Sequence, residues 1–147
     1  MATREKFADA TYRGGMRFDI TAGSGHMLTV DTTPDEGGEN AGFSPMELLV
    51  VGLAGCTGMD VISILKKQRQ DVTGYEIHVH GTRRAEHPMT FERVTVEHVV
   101  TGRGIDPKRL ARAIELSETK YCGVSNTLNK TATLEVTYRI VEAKETE

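Results

Sequence analysis

The longest apolar stretch of the chain lies between residues 44 and 66, and its first residues have the pattern of a helix N-terminus. Ser44 suits the N-cap and Pro45 suits the first helical position. Glu47 follows the serine by three residues and completes a capping box. The residues that follow are apolar almost all round, which predicts one long helix that is buried on most of its faces.

Three glycines, Gly52, Gly55 and Gly58, recur at every third position of this predicted helix. Each costs about 1 kcal/mol of helix propensity, so we expect a neighbour to approach closely along that face. A single chain of this length offers few partners to cover an apolar rod, which favours a homodimer. The helix is long enough to raise the question of a membrane span. Because Glu47 and Asp60 lie within it and strands with polar alternation follow, we predict a soluble core helix and no membrane partner.

The remaining pattern alternates between strands, loops and shorter helices. Two or three strands in hairpins are predicted between residues 7 and 31, followed by a polar, glycine-rich loop. After the long helix, the pattern predicts two strands, a helix that begins at Asp106-Pro107, a short helix and a last strand. Their approximate ranges are 75–80, 94–100, 106–120, 122–129 and 134–140. Strands and helices are partly segregated, which indicates an α+β fold with largely antiparallel sheets.

Composition and charge narrow the class of protein. The chain has 147 residues, and we predict one domain over residues 1–147. A formal net charge of −3 argues against nucleic acid as a main partner. The first six residues contain no apolar run, so a secretory signal is not expected and we predict a cytoplasmic location.

The chain contains two cysteines, Cys56 in the middle of the long helix and Cys122 near the start of a predicted short helix. If the fold brings them together, Cys56 could be oxidised by a peroxide to a sulfenic acid that Cys122 resolves as a disulfide. In the alternative interpretation both are small buried hydrophobic residues. Asp60 lies one helical turn after Cys56, where a carboxylate would raise the pKa of a thiol.

The other candidate groups carry weaker signals. The capping box accounts for Glu47 without a catalytic role. His78 and His80 share one strand face, but two histidines without further ligands do not make a zinc site, and we expect them to be exposed. The motifs of phosphate loops, dinucleotide sites and serine hydrolases do not occur in the sequence. We therefore expect no metal and no organic cofactor.

Three pieces of the sequence, in this order, resemble the OsmC/Ohr superfamily (osmotically induced protein C and organic hydroperoxide resistance protein). They are Ser-Pro-Met-Glu-Leu-Leu at 44–49, Ala-Gly-Cys ending at Cys56, and the second cysteine within 118–125. Residues 60–67 and 70–72 look most like the YhfA-like branch. The resemblance covers roughly residues 10 to 141.

This resemblance implies an α+β fold in which antiparallel sheets wrap around long central helices in an interwoven homodimer. It also implies that Cys56 attacks an organic hydroperoxide, that Cys122 resolves it, and that an external dithiol reductant restores the pair. In the peroxidatic branches an arginine and a glutamate tune the first thiol, and here the matching positions are Arg17 and Glu47. Glu47 stands one place later than in those branches, and Arg17 one place after the expected position, with Arg13 as the alternative.

Two hypotheses follow. The first is a thiol-dependent peroxidase for organic hydroperoxides, with Cys56 and Cys122 as the working pair in a stress response. The second is a non-catalytic OsmC-like dimer that binds a small apolar molecule at its interface. A depressed pKa of the Cys56 thiol favours the first hypothesis, and an ordinary or raised pKa favours the second.

Overall fold

Two compact units divide the chain in the computed structural model, one ending at Leu49 and one beginning at Val50. The structure describes residues 4–145. The single domain predicted over residues 1–147 stays a prediction, and its residues 1–3 and 146–147 lie outside the described part of the chain.

The first unit contains a three-stranded antiparallel sheet in the order β1-β2-β3. Its strands are β1 (Ala8–Tyr12), β2 (Phe18–Ala22) and β3 (Met27–Val30). Gly14 and Gly15 both have positive φ in the turn between β1 and β2, a conformation that glycine adopts without strain. The polar loop after β3 is held by Asp31, which is 2% exposed and accepts backbone N–H groups of three loop residues. The predicted hairpins and loop are therefore confirmed.

The long helix α1 extends over Pro45–Lys67, close to the predicted range. The Glu47 carboxylate accepts the Ser44 backbone N–H at 2.7 Å, which is one half of the predicted capping box. The fully buried residues of α1 follow one stripe with a spacing of four: Leu53, Thr57, Val61 and Leu65. Burial on most faces is thus not reached in the single chain. By length and composition alone α1 could cross a membrane, with 28% of its most apolar window buried.

The second unit contains a three-stranded sheet in the order β4-β5-β6. Its strands are β4 (Asp71–Arg83), β5 (Phe91–Arg103) and β6 (Thr133–Glu142). Strands β4 and β5 pair antiparallel, as predicted for the sheets, but β5 and β6 pair parallel. The physical reason is the helical crossover between β5 and β6, which returns the chain to the same end of the sheet.

That crossover consists of α2 (Pro107–Leu116), a π-helical turn (Ser117–Tyr121) and α3 (Gly123–Leu128). The Asp106 side chain caps α2 by accepting the Lys108 N–H at 2.9 Å, which confirms the predicted helix start. The hydrophobic core of the second unit lies where α1, β5 and α2 meet. Its buried members are Val61, Leu65, Val100, Ile105, Leu110, Ala113 and Ile114. This packing sets the crossover against the middle of α1.

Candidate active site at the two cysteines

The fold of the second unit brings Cys56 and Cys122 together, although they lie 66 positions apart in the sequence (122 − 56). Their sulfur atoms and a carboxylate oxygen of Asp60 all lie within 4.8 Å of one another. Cys122 is fully buried, whereas Cys56 and Asp60 are half-buried. Both thiols are free. The predicted thiol pair is therefore present, with the carboxylate beside it.

Helix α1 contributes one side of this site. Cys56 and Asp60 lie one turn apart on the same face, as their spacing predicted. The buried hydroxyls of Thr57 and Ser117 are 2.8 Å apart and share a hydrogen bond. The Ser117 hydroxyl also donates to the Asp60 carboxylate at 3.0 Å. This chain of hydrogen bonds ties the π-helical turn to α1 and orients the carboxylate.

The end of the π-helical turn places the second thiol. Cys122 has extended backbone and is the N-cap of α3, where its sulfur accepts the Ser125 N–H at 3.3 Å. The Asn126 side-chain amide donates to the carbonyls of Cys122 and Glu118, at 2.8 and 3.0 Å. The sequence predicted that the helix is interrupted near residue 122. In the structure the π-helical turn ends there, and Cys122 caps the next helix. Single-turn π segments occur often at functional sites.

The electrostatic surroundings of Cys56 oppose formation of a thiolate. Burial raises the pKa of the Cys56 thiol, and the Cys122 thiol and the Asp60 carboxylate raise it further. The backbone N–H of Val124 acts in the opposite direction and lowers that pKa. The two sulfurs are thus close enough for a disulfide to form after a small movement. For Cys56 to act as a fast nucleophile, however, a nearby cation must stabilise its thiolate.

Arg17 and Glu47, the other predicted site residues, belong to the first unit. The Arg17 guanidinium lies 3.9 Å from the Glu39 carboxylate, and the alternative Arg13 forms a tighter pair with Asp19 at 3.0 Å. Among the described residues, the ion pair of Arg17 is thus with Glu39 and not with Glu47. Glu47 caps α1 and lines a cavity of about 630 Å³ within the first unit.

Sequence reasoning missed a buried polar pair beside this site. The Tyr75 hydroxyl lies 2.6 Å from His98 Nδ1, and the His98 side chain has no exposed surface. Burial lowers the pKa of His98 to about 4. Burial, and then the Asp60 carboxylate, raise the pKa of Tyr75. The available signal was strand alternation, since His98 falls between two valines on the buried face of β5.

The histidines on β4 behave as predicted. His78 and His80 are exposed, and His78 Nε2 lies 3.7 Å from the Glu76 carboxylate. The set of residues that could hold a metal ion lies elsewhere, at Cys56, Asp60 and Cys122.

Comparison with known proteins confirms the resemblance. The family model described as OsmC-like protein matches residues 37–137. Protein YhfA from Escherichia coli (strain K12) is 37% identical over 129 residues, covering 88% of this chain and 93% of YhfA.

Solved structures support the same assignment. A hypothetical protein from Aquifex aeolicus VF5 is 30% identical, with a TM-score of 0.84 over 97% of this chain and 100% of that chain. An organic hydroperoxide resistance protein from Elizabethkingia anophelis shares the fold, with a TM-score of 0.70 at 17% identity over 97% of this chain and 99% of that one. These matches identify α1 as the long helix of an OsmC-like fold. The chain belongs to the OsmC-like family.

Proposed function

We propose that the protein is a thiol-dependent peroxidase that reduces organic hydroperoxides in a stress response. The observation that carries this proposal is the proximity of the Cys56 and Cys122 sulfurs, which lie within 4.8 Å of each other. A disulfide needs about 2.05 Å between the sulfurs, so closure requires an approach of less than about 3 Å. The likeness in fold to organic hydroperoxide resistance proteins supports the same chemistry.

The reaction begins at the half-buried thiol. The Cys56 thiolate attacks the terminal oxygen of the hydroperoxide, the O–O bond breaks, and a proton passes to the departing alkoxide to give the alcohol. Cys56 is then a sulfenic acid. The Cys122 thiolate attacks the sulfenic sulfur, a disulfide forms, and the hydroxyl leaves as water with one proton. An external dithiol reductant restores both thiols by exchange and is itself oxidised to a disulfide.

Activation of Cys56 needs a positive charge, and we assign this role to Arg17, with Glu47 as the glutamate that the family resemblance implies. Two observations in the first unit favour Arg17 over Arg13. Arg13 is held by Asp19 at 3.0 Å, whereas Arg17 has a looser pair with Glu39 at 3.9 Å. A cation beside a thiol favours the thiolate and would offset the effect of burial on the Cys56 pKa.

We also propose that the working protein is a homodimer. Along α1, Val51, Gly55 and Met59 form an exposed stripe with a spacing of four, and Val51 and Met59 are 50% and 73% exposed. A side chain added at Gly52 or Gly55 meets nothing within 4 Å in the single chain. Such a stripe of apolar and small residues fits close packing against a second copy of α1.

The remaining parts of the proposal concern the domain, the location and the partners of the protein. The chain acts as one domain in the cytoplasm, where reduced thiols persist. Its partners are a second copy, a small organic hydroperoxide and the dithiol reductant. The net charge of −3 speaks against nucleic acid, and the acidic residues Glu47 and Asp60 within α1 speak against a membrane partner.

A specific observation favours a second candidate function. Burial and the Asp60 carboxylate raise the pKa of Cys56, which is the outcome expected for a non-catalytic OsmC-like dimer. Such a dimer would bind a small apolar molecule at its interface. Measuring the thiol pKa of Cys56 in the assembled protein distinguishes the two, because a depressed pKa supports the peroxidase and an ordinary or raised pKa supports the binding protein.

The decisive experiment is peroxide consumption by the purified, chelator-treated protein with dithiothreitol as reductant. Cumene hydroperoxide and hydrogen peroxide are compared, with Cys56→Ser and Cys122→Ser beside the wild type. We expect fast turnover of the organic peroxide that is lost in Cys56→Ser. Arg17→Ala should slow the reaction, whereas Arg13→Ala should not. Turnover no faster than that of Cys56→Ser would refute the peroxidase.

A further inference from the structure

We propose that Cys56, Asp60 and Cys122 together form a binding site for a thiophilic divalent cation, with Zn²⁺ as the ion that suits these ligands. Each residue offers one ligand atom, two sulfurs and one carboxylate oxygen, and the three atoms lie within 4.8 Å of one another. Among the described residues, this is the group of cysteine, histidine or acidic side chains with the spacing of a metal site. Binding needs no peroxide, so the proposal stands apart from the peroxidase.

The spacing agrees with tetrahedral coordination. With Zn–S bonds of about 2.3 Å and Zn–O bonds of about 2.1 Å, two ligand atoms in a tetrahedral site lie about 3.5 to 3.8 Å apart. The observed limit of 4.8 Å therefore requires any two ligand atoms to move closer by at most about 1.3 Å. Rotation of the half-buried Cys56 and Asp60 side chains can supply such a movement.

The position of Asp60 is unfavourable for a nucleophile and favourable for a cation. A carboxylate beside a thiol opposes formation of the thiolate, so peroxide chemistry gains nothing from it. A divalent cation reverses this relation, because two thiolates and one carboxylate together offset its charge. The peroxidase proposal leaves Asp60 without a role, and the cation site gives it one.

The surrounding hydrogen bonds orient each ligand group. The buried Ser117 hydroxyl donates to Asp60 at 3.0 Å, and the Ser125 N–H donates to the Cys122 sulfur at 3.3 Å. The backbone N–H of Val124 interacts favourably with the Cys56 sulfur. Metal sites in proteins depend on such outer hydrogen bonds, which fix the direction of the ligands before the ion arrives.

Ligand chemistry selects the ion. Sulfur ligands disfavour Mg²⁺ and Ca²⁺, which prefer oxygen, and favour Zn²⁺ and related ions. Three protein ligands leave a fourth position for water, as in open zinc sites. Asp60 also lies in the wall of a cavity of about 320 Å³ that Ser63 and Lys67 line as well, so the carboxylate side of the site faces this cavity. Because the ion and a disulfide use the same sulfurs, bound Zn²⁺ would protect the pair from oxidation.

The test uses Co²⁺ as a spectroscopic substitute for Zn²⁺ on the full-length protein, reduced, stripped with a chelator and kept free of oxygen. We expect one Co²⁺ per chain, a near-ultraviolet charge-transfer band from sulfur to cobalt, and the visible bands of tetrahedral Co²⁺. Added Zn²⁺ should remove both sets of bands. Cys56→Ser and Cys122→Ser should each weaken the charge-transfer band, and Asp60→Asn should lower the affinity at least about tenfold.

Ser63→Ala is the matched control, since Ser63 lines the same cavity as Asp60 but offers no ligand. It should bind Co²⁺ as the wild type does. A second measurement uses the wild type alone: Zn²⁺ should protect both cysteines together from alkylation, as read by mass spectrometry. Absence of the charge-transfer band, or equal affinity in Asp60→Asn and wild type, would overturn the site. Binding without peroxide turnover would leave this site standing and refute only the peroxidase.

Discussion

His98 should make the stability of this protein depend on pH in the weakly acidic range. Its side chain is fully buried in β5, and its Nδ1 shares a hydrogen bond with the Tyr75 hydroxyl. Its other ring nitrogen, Nε2, has no hydrogen-bond partner among the described residues. A proton added to this ring therefore creates a buried charge with one unpaired donor, which burial strongly disfavours.

The size of the effect follows from two pKa values. The pKa of His98 is about 4 in the folded protein, against an ordinary value of 6.5 in the unfolded chain. Between these values the unfolded chain binds more protons, so the free energy of unfolding falls as the pH falls. The contribution is fully present above pH 6.5 and is lost progressively down to pH 4. The loss amounts to about 2 kcal/mol at pH 5 and about 3 kcal/mol below pH 4, relative to the free energy of unfolding above pH 6.5.

The assay is urea unfolding at pH 7.5 and pH 5.0, at one fixed protein concentration, for wild type and His98→Gln. Other acidic groups contribute equally to both proteins, so the difference between them isolates His98. When the pH falls from 7.5 to 5.0, we expect the free energy of unfolding to fall by about 2 kcal/mol more for the wild type than for His98→Gln. His78→Gln, at an exposed position of the other long strand, should behave as the wild type. An equal loss in wild type and His98→Gln would refute the reasoning.

Three further predictions concern packing and assembly. Ser117→Ala should lower the free energy of unfolding, measured with urea, by about 2 kcal/mol, and Thr57→Val should lower it by about 1 kcal/mol. The reason is that the Ser117 hydroxyl forms hydrogen bonds with two partners and the Thr57 hydroxyl with one. Equal losses in the two variants would contradict this network of hydrogen bonds. Gly102→Ala should lower the free energy of unfolding by at least about 2 kcal/mol, because the added Cβ would collide with a neighbouring backbone carbonyl. Gly123→Ala should change the free energy of unfolding little, because the added Cβ would lie in open space. In sedimentation, the wild type should be a dimer and Gly55→Leu a monomer, because a large side chain there blocks close approach of two α1 helices. A Gly55→Leu dimer as stable as the wild type would exclude that packing.

Local rules predicted most of the elements. The capping box formed by Ser44 and Glu47 located the start of α1, and Asp106 followed by proline located the start of α2. These signals work because caps satisfy backbone groups within a few residues. The same reasoning placed Cys56 and Asp60 on one helical face, since positions four apart are neighbours on any α-helix.

Other features depended on packing between distant segments. The parallel pairing of β5 and β6 follows from a helical crossover, whose direction no strand pattern reveals. The burial of His98 was recoverable in principle, because it shares a face of β5 with Val96 and Val100. Its pairing with Tyr75 was not, since it depends on the register between two strands.

By itself the sequence determined the family, the element order, and the presence of one thiol in a long helix and a second near the start of a short one, because motifs and periodicity are properties of neighbouring residues. Only the tertiary structure decided that these thiols meet. The π-helical turn and its hydrogen bonds through Ser117 bring Cys122 within 4.8 Å of Cys56 and set Asp60 beside both. Such a juxtaposition arises from the packing of the crossover on α1. The two cysteines are separated by 66 positions (122 − 56), and spacing along the chain carries no information about distance over such a separation.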